Sequence, residues 1–252
     1  MDELQLEPGW LEREIKRTND YVNNTTLREV FDMNPPAHKE RQPYVSIDLE
    51  TTGLDPDNCQ ILEIGAVIDD WRTPPHELPV FHAFCCHHHI YGEPYALQMN
   101  HKIIKKIADK KDPNDPTALF LDPYCMMHQL GEFLLRNGFT QDGNKIKVTA
   151  AGKNFGSFDL QFLRRLGFDR VEFRHRFIDA GALFYNPAID DMPPNTEECL
   201  KRAGIPVNLT HEAVPDAIDV VKLIRYVAAV RGEYGSMEIR RDSAEVAPFR
   251  GF

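Results

Sequence analysis

Apolar and polar residues alternate along residues 44–53, and this alternation predicts a β-strand with two different faces. One face would consist of Val45, Ile47 and Leu49, and the other of Ser46, Asp48 and Glu50. Neighbouring carboxylates repel each other and resist desolvation, so folding alone does not account for them on an otherwise apolar strand. Either a divalent cation lies between them or the strand is a solvated sheet edge, and this segment alone leaves both interpretations open.

Further hydrophobic runs predict an antiparallel meander followed by strands that alternate with helices. The second and third strands are expected at residues 61–68 and 80–89, and the fourth and fifth at 146–151 and 173–178. Helical spacing of apolar residues predicts helices from about Asn100, after Pro123, after Ser157, from Asp179, over residues 196–203 and after His211. The predicted class is therefore α/β.

The two ends of the chain differ from this middle part. Residues 1–43 are predicted to form an N-terminal helical extension and a linker, with a helix over residues 8–21 and Asn34-Pro35-Pro36 ending any helix. That helix would pack on the core or bind a partner. Residues 44–231 would form the main domain, and residues 232–252, which have few apolar anchors, a C-terminal tail.

Composition is that of a soluble globular protein, with 42% hydrophobic and 27% charged residues among 252. No apolar run is long enough to span a bilayer, and the acidic N-terminus lacks the features of a signal peptide. The five cysteines are then expected to be reduced thiols in the cytoplasm. A net charge of −10 argues against a general duplex-binding protein but not against a nucleic-acid enzyme, because cations would neutralise carboxylates of the site.

Two other polar clusters have simpler explanations. Residues 85–89 read Cys-Cys-His-His-His within the third strand. Adjacent strand residues face opposite ways and cannot surround one tetrahedral ion, so the pattern favours a polar edge strand over a zinc site. The helix after Asn100 carries Lys102, Lys105, Lys106 and Lys110. They would form a solvated face or a patch that steers phosphates.

Three separated segments place acids at the end of a strand or the start of a helix. Asp48 and Glu50 end the first strand, Asp159 begins a helix, and Asp216 lies early in the last helix, with His211 before it. Compensation of the helix dipole would by itself explain the two helical aspartates. Together, four carboxylates and one histidine match two-metal phosphoryl chemistry, in which the histidine takes a proton from the attacking water.

Three motifs carry a family resemblance: Asp48-x-Glu50-Thr-Thr-Gly, Asn154-x3-Phe158-Asp159 and His211-x4-Asp216. In this order they resemble the motifs of the DEDDh family of 3′→5′ exonucleases, which includes polymerase proofreading subunits and RNA-trimming enzymes. The resemblance covers residues 44–231, which would be the exonuclease domain. It implies a ribonuclease-H-like five-stranded mixed sheet, with a three-strand antiparallel meander plus two parallel strands, flanked by helices. The implied activity is hydrolysis of phosphodiester bonds from the 3′ end, releasing 5′-mononucleotides.

The same resemblance implies roles for single residues. Two divalent cations, Mg²⁺ or Mn²⁺, would be held by Asp48, Glu50, Asp159 and Asp216. His211 would be the general base. The terminal nucleotide would be bound by Thr52, Gly53, Leu54 and Asn154. Lys153 stands where many relatives carry histidine, and we expect no catalytic role for it.

The implied partners are single-stranded or frayed 3′ ends of DNA or RNA, with a polymerase as a further candidate and no membrane. The choice between DNA and RNA stays open, because it depends on contacts to the 2′-OH. Two alternatives also stay open: a catalytically silent relative that binds nucleic acid or a polymerase, and a metal-dependent hydrolase or endonuclease that uses similar carboxylates.

Overall fold

The computed structural model describes residues 42–167, 170–207 and 210–236, with the backbone alone for 231–236. The predicted N-terminal helix over residues 8–21 lies outside these residues, as does the C-terminal segment 237–252. Within the described ranges, no helix combines the length and the apolar character needed to cross a bilayer.

A five-stranded mixed sheet lies at the centre of the fold, in the order β4-β3-β2-β1-β7. Its antiparallel meander consists of β1 (Tyr44–Thr51), β2 (Ile61–Asp69) and β3 (Val80–Cys85). Two short parallel strands flank the meander, β4 (Leu119–Leu121) beside β3 and β7 (Ala150–Ala151) beside β1. The predicted fold class is thereby confirmed, and β1 lies inside the sheet rather than at a solvated edge.

A smaller sheet contains β5 (Gln141–Asp142), β6 (Lys145–Val148) and β8 (Val171–Phe173). The single strand predicted at 146–151 is thus divided at Thr149, whose carbonyl accepts a hydrogen bond from the Val45 N–H at 2.9 Å. The strand predicted at 173–178 is wrong in its position. The chain leaves β8 after Phe173 and pairs again only at Ile178, and in between Phe177 turns inward to pack on Phe155.

Seven α-helices surround the sheets in the described part of the chain. They are α1 (Pro94–Met99), α2 (His101–Asp109), α3 (Pro123–Arg136), α4 (Asp159–Leu166), α5 (Ala180–Phe184), α6 (Thr196–Arg202) and α7 (Ala213–Ser236), together with a 3₁₀ turn at Pro75–Glu77. Helix α7 continues past residue 231, where the main domain was expected to end. The third strand was predicted to reach His89 but ends at Cys85, and the Cys86 N–H donates to the Leu121 carbonyl at 2.7 Å.

The two faces of β1 contact different helices, as its alternation requires. Val45, Ile47 and Leu49 belong to the core that includes side chains of α3 and α4. On the opposite face, the Ser46 hydroxyl donates to the Ala217 carbonyl of α7 at 2.8 Å. The polar face of β1, which bears Asp48 and Glu50, therefore lies towards the start of α7.

Candidate active site

A glycine on β2 allows α7 to begin directly on the sheet. Gly65 lies opposite Asp48 in the β1–β2 register. A Cβ atom at Gly65 would be 2.4 Å from the carbonyl group of Ala213 and 2.5 Å from the Val214 nitrogen. Any side chain at this position would push the first turn of α7 away, so Gly65 brings Asp216, in that turn, close to β1.

Three predicted site residues converge at this contact. One ligand atom each from Glu50, His211 and Asp216 lies within 4.8 Å of the other two, and no other group of three or more metal-ligating side chains converges in this way among the described residues. Glu50 is buried, Asp216 half-buried and His211 exposed. The His211 backbone has φ 50°, a left-handed conformation that costs energy in a non-glycine residue. Such strain is common where a functional side chain must be held in one place.

Asp159 approaches the same region from α4. Its carboxylate is 2% exposed and accepts hydrogen bonds from backbone N–H groups, one of them that of Leu49 on β1. Burial raises the pKa of Asp159 to about 8 despite these bonds, with a contribution from the charge of Glu50. Burial also raises the pKa of Asp48 well above its usual value, and the charges of Asp159 and Asp216 add to the effect. Asp48 and Asp159 are thus electrostatically linked to the other carboxylates but are not part of the group whose ligand atoms converge.

The remaining carboxylates are perturbed in the same direction. Burial and the charge of Glu63 raise the pKa of Glu50 to about 8, although a hydrogen bond from Asn100 opposes the shift. Burial and the charge of Asp219 raise the pKa of Asp216 to about 6. So many buried acids with raised pKa values are typical of a site that needs cationic partners.

Unpartnered polar atoms support the same conclusion. Among the described residues, three buried side-chain atoms lack a hydrogen-bond partner: Glu63 Oε2, Asn100 Oδ1 and Asp216 Oδ1. All three are oxygen atoms, and all three belong to residues that shift the pKa of Glu50. Buried polar groups without partners are costly, and oxygen atoms are the ligands that Mg²⁺ and Mn²⁺ prefer. The donor set therefore fits divalent cations.

The turn after β1 contains three residues that were predicted to bind the terminal nucleotide. The side chain of Thr52 is buried, and its hydroxyl accepts from the Gln60 N–H at 2.8 Å, so it fixes the turn. Leu54 is 74% exposed, and its N–H donates to Glu93 Oε1 at 3.0 Å. A Cβ atom on Gly53 would lie 2.7 Å from Glu93 Cδ, so only glycine allows this approach. Beyond the end of β1, Gly53 is thus buried in the turn, and Leu54 lies at the surface.

Asn154 lies in the loop that precedes α4. Its backbone has φ 58°, and its N–H donates to Asp179 Oδ2 at 2.8 Å. The exposed side chain accepts from Lys153 Nζ at 3.1 Å. Ser157 precedes α4 but does not cap it, because the Ser157 hydroxyl donates to the Asn154 carbonyl at 3.1 Å. This loop sets the position of Asp159.

Lys106 does not belong to a solvated lysine face. Its side chain is 11% exposed, and Nζ lies 2.7 Å from Glu212 Oε1 and 3.1 Å from Asp112 Oδ2. Glu212 directly follows His211, so this ion pair joins α2 to the segment that carries the histidine. Lys105 matches the predicted solvated face, with its side chain 75% exposed and paired to Asp109.

The Cys-Cys-His-His-His segment forms no ligand cluster. Cys85 is buried in the core, whereas Cys86 and His87–His89 line a surface cavity of about 500 Å³. The His87 ring is bound to the Ile61 carbonyl at 2.7 Å.

Sequence reasoning missed two residues beside the candidate site. Glu63 interrupts an apolar strand, the same signal that singled out Asp48 and Glu50, and could have been found in that way. Asn100, which is buried and donates to the Thr51 carbonyl at 2.9 Å, carries no such signal at the start of a helix.

Comparisons with known proteins identify the family and the fold of this chain. A family model described as "RNase_T: Exonuclease" matches residues 45–224. A structure of exonuclease I is similar with a TM-score of 0.54 and 15% identity, over 77% of this chain and 43% of that chain. The structure of E. coli exonuclease I with a dT13 oligonucleotide has a TM-score of 0.53 and 16% identity, over 78% of this chain and 43% of that chain. Exonuclease I from Methylocaldum szegediense has a TM-score of 0.52 and 14% identity, over 74% of this chain and 40% of that chain.

At these identities the structural likeness shows the fold, and the chain spans less than half the length of those proteins. A comparison with curated protein sequences gives no match. The family model covers well over half of the chain. The chain therefore belongs to the RNase_T exonuclease family, with DEDDh-type motifs and the ribonuclease-H-like fold.

Proposed function

We propose that this protein is a 3′→5′ exonuclease that acts on single-stranded or frayed nucleic acid and releases 5′-mononucleotides. Water would add to the phosphorus of the last phosphodiester bond, and the P–O3′ bond would break, leaving a new 3′-OH on the shortened strand. The observation that carries the proposal is the convergence of Glu50, His211 and Asp216. Asp48 and Asp159 support it, because the charge of Glu50 adds to the effect of burial in raising the pKa values of both.

The carboxylates would hold two divalent cations, Mg²⁺ or Mn²⁺. Asp48, Glu50, Asp159 and Asp216 would supply the ligand oxygens. When bound, such cations neutralise phosphate charge and lower the pKa of water. The raised pKa values of the four acids support this assignment, because cations relieve their mutual repulsion.

His211 would take the proton from the attacking water. Its ring lies beside Glu50 and Asp216, and it is exposed, so the proton can pass on to solvent. The positive charge that His211 gains with this proton would lower the pKa of Asp216, against the effects of burial and Asp219. The Glu212–Lys106 ion pair would hold the histidine segment in place.

The nucleotide at the 3′ end would lie against the turn after β1. Leu54, whose apolar side chain is exposed there, would contact a base, and Gly53 would allow the strand to approach closely. Thr52 would act by fixing the turn, and Asn154 by contacting the scissile end from the loop before α4. Structural neighbours of this chain hold dT13 and other single-stranded DNA, which supports a single-stranded substrate.

The partner, the domain limits and the location were predicted from the sequence. The proposed function has no polymerase partner, because none of the comparisons points to one. The domain limits at residues 44–231 are part of the proposal, supported by the match over residues 45–224. The cytoplasmic location stays a prediction.

A degradation assay tests the proposal. Single-stranded DNA and RNA of matched sequence, labelled at the 5′ end, would be incubated with the full chain in Mg²⁺, Mn²⁺ or EDTA. We expect stepwise shortening from the 3′ end and release of 5′-mononucleotides, with metal only. Asp48→Asn and Asp216→Asn should abolish release, and His211→Ala should lower the rate about 10²–10⁴-fold with a smaller effect on substrate binding.

Asp109→Asn, on the exposed surface of α2, is the matched control and should leave the rate unchanged. Near-normal activity of Asp48→Asn would show that the carboxylates are assigned wrongly. Internal cleavage products would indicate an endonuclease. Binding without any release in every metal would indicate a catalytically silent relative.

A further inference from the structure

Glu63 is a fifth carboxylate beside the four proposed metal ligands. It lies on β2 directly opposite Glu50 on β1, and its side chain is fully buried. Like charges directly opposite each other on antiparallel strands destabilise the pair, and burial increases the cost. Hydrophobic packing therefore does not explain an acid at this position.

A histidine on β3 holds one oxygen of this carboxylate. The His82 Nε2 atom lies 2.7 Å from Glu63 Oε1, and its Nδ1 atom lies 2.7 Å from Asp115 Oδ2. With a carboxylate at each nitrogen, the ring donates on both sides. Burial lowers the pKa of His82, but the hydrogen bonds of Glu63 and Asp115 raise it overall. The three residues form a carboxylate–histidine–carboxylate chain that fixes the orientation of Glu63.

The second oxygen of Glu63 has no partner. Oε2 is buried and accepts no hydrogen bond from the described residues. The register places Glu63 opposite Glu50, and its negative charge, after burial, raises the pKa of Glu50 and makes smaller contributions at Asp48 and Asp216, so it lies close to the same cluster. Glu63 is nevertheless absent from the group whose ligand atoms converge, which consists of Glu50, His211 and Asp216. It is close to the site but outside ligating range.

We propose that Glu63 is a positioning residue of the metal centre, whose Oε2 accepts a hydrogen bond from water in the hydration shell of the cation at Glu50 and Asp216. His82 and Asp115 keep that oxygen directed at the site. The inference rests on the proposed function, because it requires the cation. Outer hydrogen-bond partners of this kind orient what binds the metal, and their loss typically weakens metal affinity 10–100-fold.

The test is Mn²⁺ binding by the full chain without nucleic acid, measured by isothermal titration calorimetry. Glu63→Gln keeps the shape of the side chain and an oxygen for His82 but puts an N–H₂ donor in place of Oε2. We expect the Mn²⁺ dissociation constant to rise at least about tenfold. The melting temperature in EDTA should stay the same or increase, because the variant removes a buried charge opposite Glu50.

Asp115→Asn weakens the hydrogen bond at the far end of the Glu63–His82–Asp115 chain. It should also raise the Mn²⁺ dissociation constant, but by less than Glu63→Gln. Glu77→Gln, at an exposed acid, is the matched control and should match the wild type. The inference is overturned if Glu63→Gln binds Mn²⁺ as tightly as the wild type. A lower melting temperature in EDTA with unchanged Mn²⁺ affinity assigns Glu63 a purely structural role and also overturns it. If the wild-type protein itself binds no Mn²⁺, the proposed function fails, and this inference with it.

Discussion

Replacing Gly65 with alanine should separate the two halves of the candidate site while adding only one methyl group. The new Cβ atom would lie 2.4 Å from the Ala213 carbonyl carbon and oxygen and 2.5 Å from the Val214 nitrogen. All of these are backbone atoms, so no side chain can rotate away to make room. The first turn of α7, which contains Asp216, must withdraw from β2.

The size of the effect follows from the overlap. Non-bonded atoms pack at about 3.5–4 Å, so the helix start must move by about 1 Å. Insertion of a methyl group into such a well-packed contact costs about 1–3 kcal/mol of unfolding free energy. A displacement of about 1 Å also lowers an enzymatic rate about 10²-fold, because Asp216 would no longer lie beside Glu50 and Asp48.

Urea denaturation and the nucleotide-release assay measure both effects on the same samples. Gly131→Ala, in α3, is the control, because its Cβ atom would lie 3.6 Å from Ile146 Cδ1 of β6, an ordinary van der Waals contact. That variant should be as stable as the wild type or more so, by up to about 1 kcal/mol, with an unchanged rate. If Gly65→Ala keeps both the wild-type rate and the wild-type stability, the close contact between α7 and β2 does not position the site.

Two further predictions concern charge. The pKa values of Glu50 and Asp159 are raised to about 8 in the folded protein, so the folded state binds more protons than the unfolded state between about pH 4 and 8. The metal-free protein should therefore lose stability as the pH rises through this window, and Glu50→Gln should lose less. Mg²⁺ should stabilise the wild type most at pH 8. A melting temperature in EDTA that falls equally in the wild type and in Glu50→Gln would contradict this. Lys106→Met leaves the buried Asp112 carboxylate without its cationic partner. It should lower the free energy of unfolding, measured by urea denaturation, by about 3 kcal/mol. Lys105→Met, at an exposed pair, should cost under about 1 kcal/mol, and equal losses would refute the distinction.

The alternation along β1 was sufficient to predict its two faces, whereas the metal chemistry of its acids stays a prediction that also needed the motifs elsewhere in the chain. A strand has a strict period of two, so the apolar side had to enter the core and the acids had to share the other side. Asp159, His211 and Asp216 were found because helix starts and motif spacing are local properties of the sequence. Local patterns of this kind can be recognised in the sequence without knowledge of the tertiary contacts.

Features that depend on tertiary contacts were not predictable in this way. Strand β4 has only three residues, Leu-Phe-Leu, all at least partly exposed, and so short an apolar run does not distinguish a strand from a loop. The inward position of the Thr52 side chain follows from its bond to Gln60, which the sequence does not reveal. Lys106 and Glu212 are 106 positions apart, and nothing local distinguishes Lys106 from Lys105.

The central claim is that the acids of β1, α4 and α7 form a metal centre. Anomalous diffraction from crystals of the full chain soaked in Mn²⁺ tests it directly. The account predicts two peaks about 3.5–4 Å apart, in contact with Asp48, Glu50, Asp159 and Asp216. Data of good quality with no peak at these carboxylates, or with Mn²⁺ bound only at His87–His89, would contradict it.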